Sequence, residues 1–163
     1  MSENPNISGD QLSHALAMRN FKSLRQRFRT QNAADIAEAL EQLTLGEFIA
    51  CFRLVHRDKR VEIFAHLDFE LQSLLIEELP ENVIIAIVDE MEPDDRTALL
   101  EQLPEEIRSQ LLTQLSPEER LVARQLLAYP EDSVGRLMTP EVLFLKGDTR
   151  VDDALAQLRW GHD

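Results

Sequence analysis

"LPENVIIAIVDEMEPDDRTALLEQLPEEIRSQLLTQLSPEE", residues 79–119, places Leu79, Met91, Leu103 and Leu115 twelve residues apart. Each is followed by proline, either at once or after one residue. The same interval extends back through Leu67, Val55 and Leu43 and forward to Leu127, and all eight positions are apolar. The positions four before them (Ala39, Cys51, Ile63, Leu75, Ile87, Leu99, Leu111 and Ala123) are also all apolar. The positions three before are apolar as well, until Arg124. The positions two before include Glu41, Arg53, Glu77, Asp89 and Glu101. This is the i, i+3/i+4 stripe of an amphipathic helix, restarted every twelve residues.

The residues at the restarts explain them. Proline has no N–H and a fixed φ, so it suits the first turn of a helix and interrupts one already running. Thr44 with Glu47 and Ser116 with Glu119 have the Ser/Thr-x-x-Glu spacing of a capping box. The pattern predicts roughly three-turn helices with corners near 43–44, 55–56, 67–68, 79–80, 91–93, 103–104 and 115–117. A helix this short cannot bury its stripe alone, so neighbours must stack. The expected fold is therefore all-α, a superhelical solenoid from about 32 to 128 whose core contains Leu75, Ile87, Leu99 and Leu111. Before it, 10–29 reads as one longer helix, and 1–9 as a loose tail.

The 163 residues carry 30 acids and 17 bases, a net charge of −13, which disfavours nucleic acid as a partner and favours cations or basic surfaces. The longest wholly apolar run, Val83–Val88, is far short of a membrane helix. Cys51, the single cysteine, lies in "FIACF" and reads as a buried, inert thiol. The four histidines are scattered, and no nucleophile elbow, Walker loop, H-E-x-x-H or paired C-x-x-C occurs, so an enzyme is not expected. The acidity has one exception. "RNFKSLRQRFR" gives residues 1–30 five bases against two acids, a net +3 that leaves −16 for the rest. It fits a solvated face pairing with the acidic repeats, or a site for anionic lipid or a partner.

Carboxylate density is the remaining chemical signal. "DEMEPDD" (89–95) holds five acids within seven residues across a corner, and Glu62 projects from an earlier helix. Mg²⁺ takes oxygen ligands, often one or two carboxylates plus water. Asp94 and Asp95 also fall in a helix's first turn, where acids are favoured without any metal.

The tail changes character. "SVGRLMTPEVLFLKGDTRVDDALAQLR" has a short helix ending at Leu-Met-Thr-Pro (137–140), a strand at 142–145, a turn at Gly147-Asp148 and a helix capped by Thr149. This resembles the opening of a cystathionine-β-synthase (CBS) module. The order of acidic helical repeat, Tyr-Pro-Glu-Asp and Gly-x-Leu-Met-Thr-Pro resembles the MgtE family of magnesium transporters. The resemblance implies a helical N-terminal domain at 10–128, a linker and short helix at 129–140, and the truncated start of the first CBS domain at 141–163. It also implies the function: a Mg²⁺-sensing, gating domain, soluble on the cytoplasmic side of a cell-membrane transporter. Its partners would be the CBS domains and the membrane channel domain, in a homodimer when full length. "VEIFAHL" matches a family helix with an ion ligand, which points to Glu62; "EPDD" points to Asp94, with Asp95 as its neighbour. Where the family pattern can hold a further acid, this chain has Ala98. The other reading is a helical-repeat interaction scaffold without ion chemistry.

Overall fold

The computed structural model describes residues 7–130, 133–138 and 150–160, with only the backbone of 137 and 156–160. Ten helices run without a break in the alternation: α1 (Gly9–Ala17), α2 (Phe21–Thr30), α3 (Ala33–Glu41), α4 (Leu45–Leu54), α5 (Arg57–His66), α6 (Phe69–Glu78), α7 (Glu81–Glu90), α8 (Pro93–Gln102), α9 (Glu105–Gln114) and α10 (Pro117–Leu127). A 3-10 turn, Val134–Leu137, and α11 (Val151–Trp160) follow. From α3 to α10 every corner falls where the twelve-residue period puts it. Pro93 and Pro117 take the first helical position, while Pro80 and Pro104 stand one residue earlier, as N-caps. All eight positions four before the landmarks are buried, from Ala39 to Ala123. Ten residues at ~1.5 Å rise make a rod of only ~15 Å, so each helix is enclosed by neighbours. α1, α3, α5 and α7 stack in one row; α2 packs on α4, and α8 on α10.

Three sequence expectations need correction. Residues 10–29 form two helices, because a Schellman turn closes α1: the Asn20 N–H donates to Ala15 O at 2.9 Å and the Arg19 N–H to Leu16 O at 2.9 Å. Arg19 takes the left-handed position of that turn, with φ 53°, and the Asn20 side chain then caps α2. The tail expected over 1–9 already belongs to the fold at its end. Ile7 is buried, Ser8 caps α1, and the Gly9 N–H donates to Gln42 Oε1 at 3.1 Å. A Cβ on Gly9 would lie 2.6 Å from Gln42 Cβ, so only glycine permits that approach. The capping box forms at Thr44, whose N–H donates to Glu47 Oε2 at 3.1 Å, but only half of it forms at Ser116. There Glu119 turns away to pair with Arg96, and Asp89 Oδ1 accepts the Ser116 N–H at 2.7 Å instead.

The strand expected at 142–145 and its turn lie outside the described residues; α11 stands where a helix was expected. The 3-10 turn packs on α8 and α10. Arg136 anchors it through Glu101 (3.0 Å) and Tyr129 O (2.7 Å). Gly135 lies so close to the Tyr129 ring that a Cβ would approach it to 2.6 Å.

A further regularity governs the corners. The position seven before each landmark completes the inward stripe, and along α5 to α10 it is mostly long and polar: Arg60, Gln72, Ile84, Arg96, Arg108 and Arg120. Four of these side chains reach back across a corner to a carbonyl at or near the end of the preceding helix. Arg60 donates to Val55 O (3.0 Å), Gln72 to Phe64 O (2.9 Å) and Arg120 to Thr113 O (3.1 Å). Arg96 donates to Val88, Asp89 and Met91 carbonyls at 2.7–2.9 Å and also pairs with Glu119. It is 1% exposed, one of the most deeply enclosed side chains in the protein. Phe64 O also accepts the Leu67 N–H, but the last carbonyls of a short helix in general lack a partner inside it, and these side chains supply one.

Leu99→Ala, at a site 2% exposed, is expected to cost ~2–5 kcal/mol in urea unfolding. Arg96→Met strands three carbonyls and Glu119, and is expected to cost about 3–5 kcal/mol in the same assay. Arg96→Lys should recover only part of that, because an ammonium cannot present the guanidinium's planar fork.

Candidate functional site

An acidic groove lies where α5 faces the corner between α7 and α8. Asp58, Glu62 and His66 follow one another at i, i+4 and i+8 along α5, which puts them on one helix face. Glu90 ends α7, Glu92 is the N-cap of α8, and Asp95 sits in the first turn of α8. Together with Val61 and Ala65 they line a cavity of about 460 Å³. Glu62, Glu92, Asp95 and His66 are exposed. Two of the acids already have a cation of the chain's own: Lys59 lies 3.3 Å from Glu62, and Arg57 pairs with Glu90. Among the described residues no cation lies within salt-bridge distance of Glu92 or Asp95.

Electrostatic strain concentrates at Asp95. Desolvation in the groove and the neighbouring Asp94 charge hold its carboxyl above the usual aspartate range, only partly offset by His66. Cys51, by contrast, is buried away from the groove; its thiol is pushed up to about 11 by burial and by Glu47, as an inert core residue requires.

Of the three acids that the sequence singles out, Glu62 and Asp95 meet in this groove. Asp94 is half-buried and does not line it. Among the described residues no three Asp, Glu, His or Cys side chains come close enough to hold one ion by themselves. The groove offers one or two carboxylates at a time, which suits a hydrated Mg²⁺ but not a closed protein cage. Asp58, His66, Glu90 and Glu92 were not among the expected ligands. The i, i+4, i+8 spacing on α5 was readable, and Glu90 and Glu92 lie inside the quoted acidic run. That α5 faces the α7–α8 corner was not readable.

Comparison with known proteins places this architecture. Residues 31–132 match the family model described as the MgtE intracellular N domain. The cytosolic domain of the Mg²⁺ channel MgtE, solved in complex with ATP, superposes with a TM-score of 0.83 at 25% identity, over 94% of this chain and 63% of that one. The soluble part of a magnesium transporter has the same fold, with a TM-score of 0.76 at 19% identity, over 95% of this chain and 61% of that one. This chain thus spans less than two thirds of either. No curated protein matches. No helix among the described residues is long and apolar enough to cross a membrane.

The raised Asp95 has a measurable consequence. An acid whose folded pKa exceeds its unfolded value binds its proton more tightly when folded. Stability therefore falls as pH rises from the ordinary aspartate range through the raised value, and the penalty persists above it. Asp95→Asn is expected to raise the thermal midpoint around pH 7 in metal-free buffer and to flatten the pH dependence on the acid side. A lowered midpoint would mean that favourable contact with the α8 N-terminus outweighs the crowding.

Proposed function

The chain belongs to the MgtE intracellular N domain family, and from that premise we propose that it is the cytosolic, Mg²⁺-sensing domain of a magnesium transporter. The observation that carries the reading is the meeting of Glu62 and Asp95 across one solvent-open groove with acids to spare. A divalent cation there would relieve the crowding that holds Asp95 above its ordinary range. Glu62 and Asp95 would each supply an oxygen, Glu92 and Glu90, which line the same cavity, would hold bound waters, and Asp94 would face outward toward a partner surface. Because the groove is open and its ligand set is incomplete, a following module's acids could complete the site. Ion binding would then draw two acidic surfaces together, and ion loss would let their like charges separate. The partners of that reading are the CBS domains and the membrane channel domain, in a homodimeric transporter with this domain on the cytoplasmic side. No catalytic step is part of it.

The internal cations set the threshold. Lys59 holds Glu62 at 3.3 Å and must be displaced, or must share, when an ion arrives. Lys59 is thus a built-in competitor at the ion's own ligand. The second reading is a helical scaffold whose acids serve solubility alone, favoured by the absence of a three-ligand cluster among the described residues.

Thermal midpoints in MgCl₂ and in NaCl of matched ionic strength separate the two readings. At ten times the dissociation constant, linkage gives ~1.4 kcal/mol, or about 3–6 °C for a chain of this size. Wild type should show that increment in MgCl₂ beyond NaCl; Glu62→Gln and Asp95→Asn should lose most of it, and Asp94→Asn less. Lys59→Gln should reach the increment at lower Mg²⁺. Equal shifts in both salts for all variants would leave the scaffold.

A further inference from the structure

The basic helix presents an exposed, cationic outward face. Leu24 and Phe28 bury the inner side of α2. Lys22, Arg25 and Arg29, at i, i+3 and i+7, fall along the outer side, and all three are exposed. With Gln26 they line a shallow depression of about 410 Å³. Pairing with the acidic repeats would have neutralised them, but among the described residues no carboxylate lies within salt-bridge distance of any of the three. Several other cations, Arg53, Arg60 and Arg120 among them, also lack a carboxylate but are held by a backbone carbonyl. Elsewhere Arg57, Arg96, Arg108 and Arg136 each hold a glutamate. The helix start adds two apolar groups: Met18 is 67% and Phe21 41% exposed, beside the exposed Arg19.

We propose that this face of α2 is a membrane-surface contact, with Lys22, Arg25 and Arg29 taking the headgroups of an anionic lipid leaflet and Met18 and Phe21 entering its interfacial layer. Unpaired cations flanked by exposed apolar side chains are the surface that a charged leaflet rewards. A nucleic acid would find few phosphate contacts on a single ten-residue helix and no use for the apolar flank. Repulsion between the leaflet and the chain's acids is screened over ~8 Å at physiological salt. The proposal rests on the transporter reading only for placing a membrane nearby. It needs no Mg²⁺, so its failure would leave the ion reading untouched.

The test is co-sedimentation of the full chain, in EDTA, with vesicles of phosphatidylglycerol and phosphatidylcholine in equal parts, and with phosphatidylcholine alone. Wild type should pellet with the anionic vesicles only and should be released as NaCl rises. The triple variant Lys22→Gln, Arg25→Gln, Arg29→Gln should keep its circular dichroism spectrum and lose roughly a hundredfold in partitioning. Phe21→Ser should weaken partitioning without changing its salt dependence. The proposal is overturned if wild type ignores anionic vesicles, or if the triple variant binds them undiminished. It is also overturned if a DNA duplex is bound equally through the same three residues. Salt-sensitive self-association, abolished in the triple variant, would likewise overturn it by making a second copy the occupant.

Discussion

A ten-residue α-helix is almost all ends. Its first four N–H groups and last four carbonyls have no partner inside it, so nearly as many backbone groups lie open as are closed. A protein built from eight such rods in succession must satisfy these groups across its corners or pay their desolvation repeatedly. Everything distinctive here answers that demand. Thr44, Asp68 and Ser116 serve the helix starts, and prolines remove a donor where one would be stranded. Arg60, Gln72, Arg96 and Arg120 serve the ends from inside the next helix or the one after the corner.

This arrangement couples the candidate groove to the way out of the domain. Asp95 and Arg96 are consecutive in α8, so the acid that faces the groove sits beside the cation that grips the end of α7. The same Arg96 holds Glu119 on α10, and α10 together with α8 receives the turn at Val134–Leu137. Arg136 closes that contact on Glu101. A shift of α8 relative to α7 would disturb a buried ionic bridge and a packed corner together. Such packed contacts have few intermediate arrangements.

Two charged clusters stand on different parts of the surface. Asp58, Glu62, Glu90, Glu92 and Asp95 line the groove between α5 and the α7–α8 corner, and Lys22, Arg25 and Arg29 line the depression on the outer side of α2. Neither cluster is needed for the core, whose stripe from Ala39 to Ala123 is apolar throughout. Charge on the surface can therefore be spent on partners without weakening the stack.

The sequence by itself determined the helices from α3 to α10, their lengths and their corners. A twelve-residue apolar period punctuated by proline and capping residues acts locally, through backbone geometry and through faces that must be covered. It also announced the acids, because a charge cluster is visible as composition. Three things were decided only by the tertiary structure. The break at Arg19 is closed by two local backbone bonds of a Schellman turn, but no glycine marks it, so only the folded chain reveals it. The role of Arg96 was illegible, since an arginine between Asp95 and Thr97 reads as surface until the ends of α7 and α10 enclose it. That Asp95 and not Asp94 lines the cavity with Glu62 turns on the rotation of one helix about its axis. Adjacent side chains on a helix point ~100° apart, and periodicity cannot say which of two neighbouring acids faces a helix some thirty residues away. Packing against that helix decides it.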